Sequence, residues 1–203
     1  LIMPDLQTAL QNAIQKQTSS VLSATINEWA QDDQPQTKPE EKTMPNHCAN
    51  TLKLIPTTPE ALALLADIRA KVTKDEGFFN LVDPCPEELL ATPAGYPKNE
   101  NESANAEKYG FANWYDFQVT RWGTKWDAYS IGVLADTGDT LTIDFDTAWS
   151  PPIGIYETLL DKGFSVEATF VEQGCDFVGY WVNGEDNTEK LSEVIPDYYN
   201  EDS

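Results

Sequence analysis

Thr140-Leu-Thr-Ile-Asp-Phe-Asp-Thr-Ala148 is the stretch that decides the fold. Leu141, Ile143 and Phe145 fall on one side of an extended chain while Thr142, Asp144 and Asp146 fall on the other, because successive side chains of a strand point to opposite faces. This alternation predicts a strand with one buried face and one wet face. Upstream, Asp136-Thr-Gly-Asp139 is a turn sequence, and the apolar run 129–134 before it supplies a partner strand, so the two predict a hairpin.

Outward from the hairpin the pattern is consistent. On the N-terminal side Thr51-Leu-Lys-Leu-Ile55 alternates and is ended by Pro56, after which Thr58 offers an N-cap and Pro59 fills the first helical position. Leu62, Leu65, Ile68 and Val72 then recur at helical spacing toward Gly77. On the C-terminal side Pro151-Pro152 opens a helix that ends near Gly163. Phe164, Val166, Ala168 and Phe170 next alternate with Ser165, Glu167 and Thr169, and 177–182 reads as a last strand. The segment 78–82 reads as short and extended, 84–106 as a long polar loop carrying Pro84, Pro86, Pro93 and Pro97, and 113–120 as a short helix. The order is strand, helix, strand, strand, helix, strand, with one strand added at the end. It predicts an α+β fold of the ferredoxin-like βαββαβ type, an antiparallel sheet with helices on one face and the other face open.

Four segments follow. In residues 1–30, Leu6, Leu10, Ala13, Ile14, Val21, Thr25 and Trp29 recur at three- and four-residue steps, the pattern of an amphipathic helix. Residues 31–43 contain two prolines and no apolar side chain, so burial cannot order them, and they read as a linker. Residues 44–183 form the ferredoxin-like domain, and 184–203 an acidic C-terminal tail.

The charge excludes some functions. The 34 acidic and 13 basic residues give a net charge of −21, and such a chain repels nucleic acid and anionic membrane surfaces. From Asp127 onward only Lys162 and Lys190 answer 17 carboxylates, a local balance of −15. No run approaches the roughly 18 apolar residues of a membrane span, and no basic segment leads into an apolar one at the N-terminus. Cys48, Cys85 and Cys175 are odd in number and widely spaced, which fits reduced thiols and a cytoplasmic location.

Three groups of residues invite chemistry. His47 and Cys48 are adjacent, as a nucleophile pair or two metal ligands would be, but neighbours on an extended chain point to opposite faces and there is one His in all. Asp144 and Asp146 with Asp136, Asp139 or Glu167 offer carboxylate oxygens to a hard cation, yet a solvated strand face explains the same residues. Trp114, Trp122, Trp126 and Trp149 are interleaved with Arg121 and Lys125, a pattern shared by base-stacking sites and by aromatic cores; the net charge favours the core. The expectation is a protein with no catalytic residue, no metal and no cofactor.

The motifs Met44-Pro-Asn-His-Cys-Ala-Asn-Thr-Leu52, Pro84-Cys-Pro-Glu-Glu-Leu89, Asn113-Trp-Tyr-Asp116, Trp122-Gly-Thr-Lys-Trp-Asp-Ala128 and Thr147-Ala-Trp-Ser-Pro-Pro152 resemble the YubB-type, phage Api-like family. The resemblance spans roughly 44–182. It implies a ferredoxin-like domain and a setting on phages and conjugative plasmids, and it implies no activity. The chain departs from the family pattern in its first 43 residues and at Cys85, where the family carries Met.

Charge and setting together lead to a functional expectation. Carboxylates lined up at a density comparable to duplex DNA, which presents about one charge per 1.7 Å, would occupy a nucleic-acid-binding groove. The chain is therefore read as an acidic accessory protein that binds and blocks a host nucleic-acid-handling or defence protein with a basic surface. Asp144, Asp146, Glu167, Glu172 and Asp176 are its contact residues. The alternative is an assembly module in which Leu6, Leu10, Ile14, Val21 and Trp29 dock on a partner or on a second copy.

Overall fold

The computed structural model describes residues 46–195. The N-terminal helix pattern, the linker and the last part of the acidic tail lie outside the described residues. Within them the strands are β1 (His47–Pro56), β2 (Tyr129–Asp136), β3 (Leu141–Ala148), β4 (Phe164–Glu172), β5 (Phe177–Val182) and β6 (Glu185–Lys190). They form a six-stranded sheet in the order β2-β3-β1-β4-β5-β6, with every neighbouring pair antiparallel. Between β1 and β2 run α1 (Pro59–Val72), α2 (Phe79–Val82), α3 (Glu87–Leu90), α4 (Glu102–Tyr109) and α5 (Trp114–Arg121); α6 (Ile153–Asp161) joins β3 to β4, and α7 (Leu191–Val194) follows β6.

The expected elements form for the expected reasons. Thr58 Oγ1 accepts from Ala61 N at 3.1 Å and caps α1, and Asn113 Oδ1 accepts from Tyr115 N and Asp116 N to cap α5. Leu141, Ile143 and Phe145 are fully buried, facing Leu52 and Leu54 of β1, Val166 of β4, and Leu65, Ile68, Ile155 and Leu159 from the helices. One large core lies between the sheet and its helical layer.

Three segments differ from the sequence reading. Residues 79–82 are helical rather than extended, because Asp127, far along the chain, accepts from Phe79 N at 2.8 Å and Asn80 N at 3.1 Å and so caps the turn. The supposed loop 84–106 contains α3 and most of α4. Its buried Asn105 donates to Thr92 Oγ1 at 2.9 Å and to the Ala112 carbonyl at 3.1 Å, and Gly110 closes α4 at φ 79°. Residues 185–190, read as the start of a tail, pair with β5 from Val182↔Glu185 to Phe177↔Lys190. Every side chain of β6 is exposed, so no alternation advertises it. The signal was Asn183-Gly184, both at positive φ (48° and 95°), the dipeptide of a two-residue hairpin turn.

Ion pairs tie the helices to the sheet and to each other. Arg69 of α1 grips Asp136 at the end of β2 through Nε (2.6 Å) and Nη2 (3.0 Å), and Lys108 of α4 donates to Glu88 of α3 at 2.9 Å. The Arg69 guanidinium holds the Asp136 carboxyl below its usual range, and hydrogen bonding to Lys108 pulls that of Glu88 down to about 2. Carboxyls depressed on folding stabilise the fold above their unfolded pKa, and that stability is lost as pH falls through the folded value. The thermal midpoint is therefore expected to fall between about pH 5 and pH 2, with a slightly shallower fall in Arg69→Met, whereas the exposed Lys108–Glu88 pair is screened by solvent and Lys108→Met changes the profile little. An Arg69→Met profile identical to wild type would refute the assignment.

Candidate functional site

The helices cover one side of the sheet, and the strand registers arrange the other side in three rows. The first runs Gly132, Asp144, Thr51, Thr169, Tyr180, Asn187 from β2 to β6. The second runs Ala135, Thr142, Lys53, Glu167, Val182, Glu185, and the third Tyr129, Asp146, Ala49, Val171, Val178, Glu189. The middle of the third row is not open: Leu191 of α7 is fully buried on Ala49, Val171 and Val178, with Ile195 packed alongside. Among the described residues nothing covers the remainder, a strip rich in hydroxyl groups.

Asp144, Asp146 and Glu167 share this face, as their alternation requires, but they do not form one anionic patch. Lys53 stands opposite Glu167 and pairs with it at 3.1 Å, which neutralises the centre. The carboxylates instead border the strip, with Asp144 and Asp146 on β3 and Glu185 and Glu189 on β6, four strand spacings apart, or about 19 Å. Gly132 makes room for the first of these: a Cβ there would lie 2.2 Å from Asp144 Oδ1. In the middle of the strip Thr169 Oγ1 is buried without a hydrogen-bond partner.

Two of the expected contact residues belong elsewhere. Glu172 is 1% exposed, and its carboxylate accepts from Gly174 N at 3.0 Å and from Cys175 N, so it holds the β4–β5 turn and is not available to a partner. Asp176 lies in that turn at φ 55° and accepts from Ser192 N at 2.8 Å and Ser192 Oγ at 2.7 Å, anchoring α7 where it returns over the sheet. The sequence reading missed these roles because the donors come from a turn and a helix whose positions only the folded chain sets. Leu6, Leu10, Ile14, Val21 and Trp29 lie outside the described residues.

The thiols are poor nucleophiles. Cys48 faces the core while His47, next to it, faces the other side and meets Tyr129 Oη at 2.8 Å through Nδ1. Burial pushes the Cys48 thiol far up, and burial with the Asp83 charge takes Cys85 up to about 11. Cys175 is exposed, and its hydrogen bond to the Glu172 carboxylate raises it as well. None of the three is a ready thiolate. Among the described residues no group of three or more His, Cys, Asp and Glu has the geometry to hold a metal ion, and no helix is long and apolar enough to cross a membrane.

The tryptophans divide. Trp122 is 1% exposed, packs edge-on against Phe79 and Phe117, and donates from Nε1 to the Asp83 carbonyl at 2.9 Å, while Trp114 packs against the same core. Trp126 and Trp149 stand apart at 39% and 41% exposure, with Lys125 Nζ 4.7 Å from one ring centre and 5.1 Å from the other. The core reading holds for the first pair only.

No family model matches the sequence, and no curated protein does. Among solved structures the chain is similar to the protein api92 from Yersinia pseudotuberculosis, a crystal structure described under the family model DUF1281. The match has 12% sequence identity and a TM-score of 0.39, over 72% of this chain and 98% of that one. A likeness of this size concerns the backbone path and carries nothing about activity.

Proposed function

We propose that this protein is a non-enzymatic acidic binder built on a ferredoxin-like scaffold, which occludes a basic surface of a host nucleic-acid-handling or defence protein in a phage or plasmid setting. The observation that supports this reading is the sheet face that no described residue covers, bordered by Asp144 and Asp146 on one side and Glu185 and Glu189 on the other. Its strip of Thr51, Tyr180 and Asn187 supplies hydroxyl and amide groups for hydrogen bonds between the two acidic margins. The described residues carry 25 carboxylates against 10 Lys and Arg, so a cationic partner is drawn in at long range and an anionic one is kept away. Margins of this kind would mimic the charge of a nucleic acid.

The test is capture from host lysate with mass-spectrometric identification, repeated with Asp144→Asn/Asp146→Asn and with Glu185→Gln/Glu189→Gln. The reading expects a basic partner whose affinity falls steeply with salt and drops at least tenfold in each double variant. Unchanged affinity and unchanged salt dependence in both would refute it. Removal of residues 1–43 separates the alternative: loss of the partner with the acidic face intact would assign binding to the N-terminal segment.

A further inference from the structure

Trp126 and Trp149 sit at the end of the sheet where β1 begins and β3 ends, on loops tied together by four hydrogen bonds. Trp149 N donates to the Asn46 carbonyl (2.9 Å), Thr124 Oγ1 to the Ala148 carbonyl (2.9 Å), Ser150 Oγ to the Gly123 carbonyl (2.6 Å) and Thr147 Oγ1 to the Ser150 carbonyl (2.8 Å). Within this frame Trp149 is held at φ 70°, a left-handed conformation that a bulky side chain adopts only under constraint. Such strain persists where the surroundings over-determine it, and it collects at binding and switch sites. A strained backbone presenting a large aromatic group to solvent contributes nothing obvious to the core.

The neighbourhood indicates what the rings receive. Lys125 already lies over both, showing that these ring faces take a cation, yet about two-fifths of each Trp remains exposed with Lys125 in place. That exposed part of each indole is open to an incoming group. The acidic margin of β3 leads toward this patch: Asp146, three residues before Trp149, stands opposite Tyr129, three residues after Trp126, and Tyr129 is bonded to His47. A group that stacks on indole and also pairs with carboxylate is a guanidinium, which is planar, weakly hydrated and bidentate. We infer that Trp126 and Trp149 anchor the partner by stacking its arginine side chains beside Asp146. The inference rests on the acidic-binder reading and names its central contact, consistent with the concentration of Trp and Arg at interface centres.

The experiment needs no identified partner. Fluorescein-labelled nona-arginine and nona-lysine are titrated against the full chain by fluorescence anisotropy at about 0.15 M salt. Bidentate pairing with carboxylates already favours nona-arginine somewhat over nona-lysine of equal charge, so stacking is read as the further part of the preference, about fivefold or more, that depends on the two rings. Trp126→Ala/Trp149→Gly is expected to reduce the arginine preference at least fivefold while leaving nona-lysine within twofold. Glycine tolerates the φ of residue 149, so the variant removes the ring without adding strain. Equal binding of the two peptides by the wild type overturns the Trp anchor and leaves the acidic reading standing. An undiminished preference in the double variant overturns the anchor as well, and absence of binding by either peptide overturns both.

Discussion

Gly154→Val is expected to prevent cooperative folding, and Gly154→Ala to cost on the order of 3 kcal/mol or more. Gly154 is the second residue of α6, and a Cβ placed on it would lie 1.9 Å from the Arg121 carbonyl oxygen and 2.9 Å from the Arg121 carbonyl carbon. Both atoms are backbone at the end of α5, so no side chain can swing aside. The two helices cross with main chain against main chain, and a methyl group forces them apart along with the aromatic core beneath, where Phe117 and Trp122 meet Phe79. Urea midpoints followed by far-UV circular dichroism measure the effect. Gly138→Ala is the control: that turn residue has φ 88° and open space around it, so only the strain of about 1 kcal/mol should appear. A loss below 1 kcal/mol for Gly154→Ala would mean that the helices slide apart freely.

Asn50→Leu should lose about 3 kcal/mol for a different reason, the stranding of buried polar groups. Asn50 is 1% exposed on the core side of β1. Its amide donates to the Cys48 carbonyl (2.8 Å) and Thr147 Oγ1 (2.9 Å), and its carbonyl oxygen accepts from Tyr156 Oη (3.1 Å). Leucine fills similar space but leaves the fully buried Tyr156 hydroxyl without this acceptor. Removing both partners relieves the penalty, so Asn50→Leu/Tyr156→Phe is expected to recover about half of the loss. Additive losses in this double-mutant cycle would show that the hydroxyl finds water or another acceptor.

Much of the fold was legible from local signals. The alternation of Leu141, Ile143 and Phe145 named the core face of β3, the Thr58-Pro59 cap named the start of α1, and the Phe164 to Phe170 pattern named β4. Segments whose partners are distant in sequence were not legible. The α2 turn is capped by Asp127, β6 has no apolar residue to mark it, and Glu172 looks like any surface carboxylate until the turn wraps its amides around it. The candidate site divides in the same way. Asp144, Asp146 and Glu167 could be placed on one face by counting residues, but the Lys53 partner of Glu167 depends on strand register.

By itself, then, the sequence determined the sign and size of the charge, the periods that make strands and helices, and the side of β3 that faces water. Those are properties of neighbours along the chain, set by composition, side-chain alternation and caps within a few residues. Only the tertiary structure decided that the acids border a hydroxyl-rich strip rather than fill it, that Glu172 and Asp176 serve turns, and that Trp126 and Trp149 stand outside the core while Trp122 lies within it. Each of these depends on which distant backbone amide or ring closes on the residue. Local pattern does not encode that contact, since burial and hydrogen bonding are settled between elements.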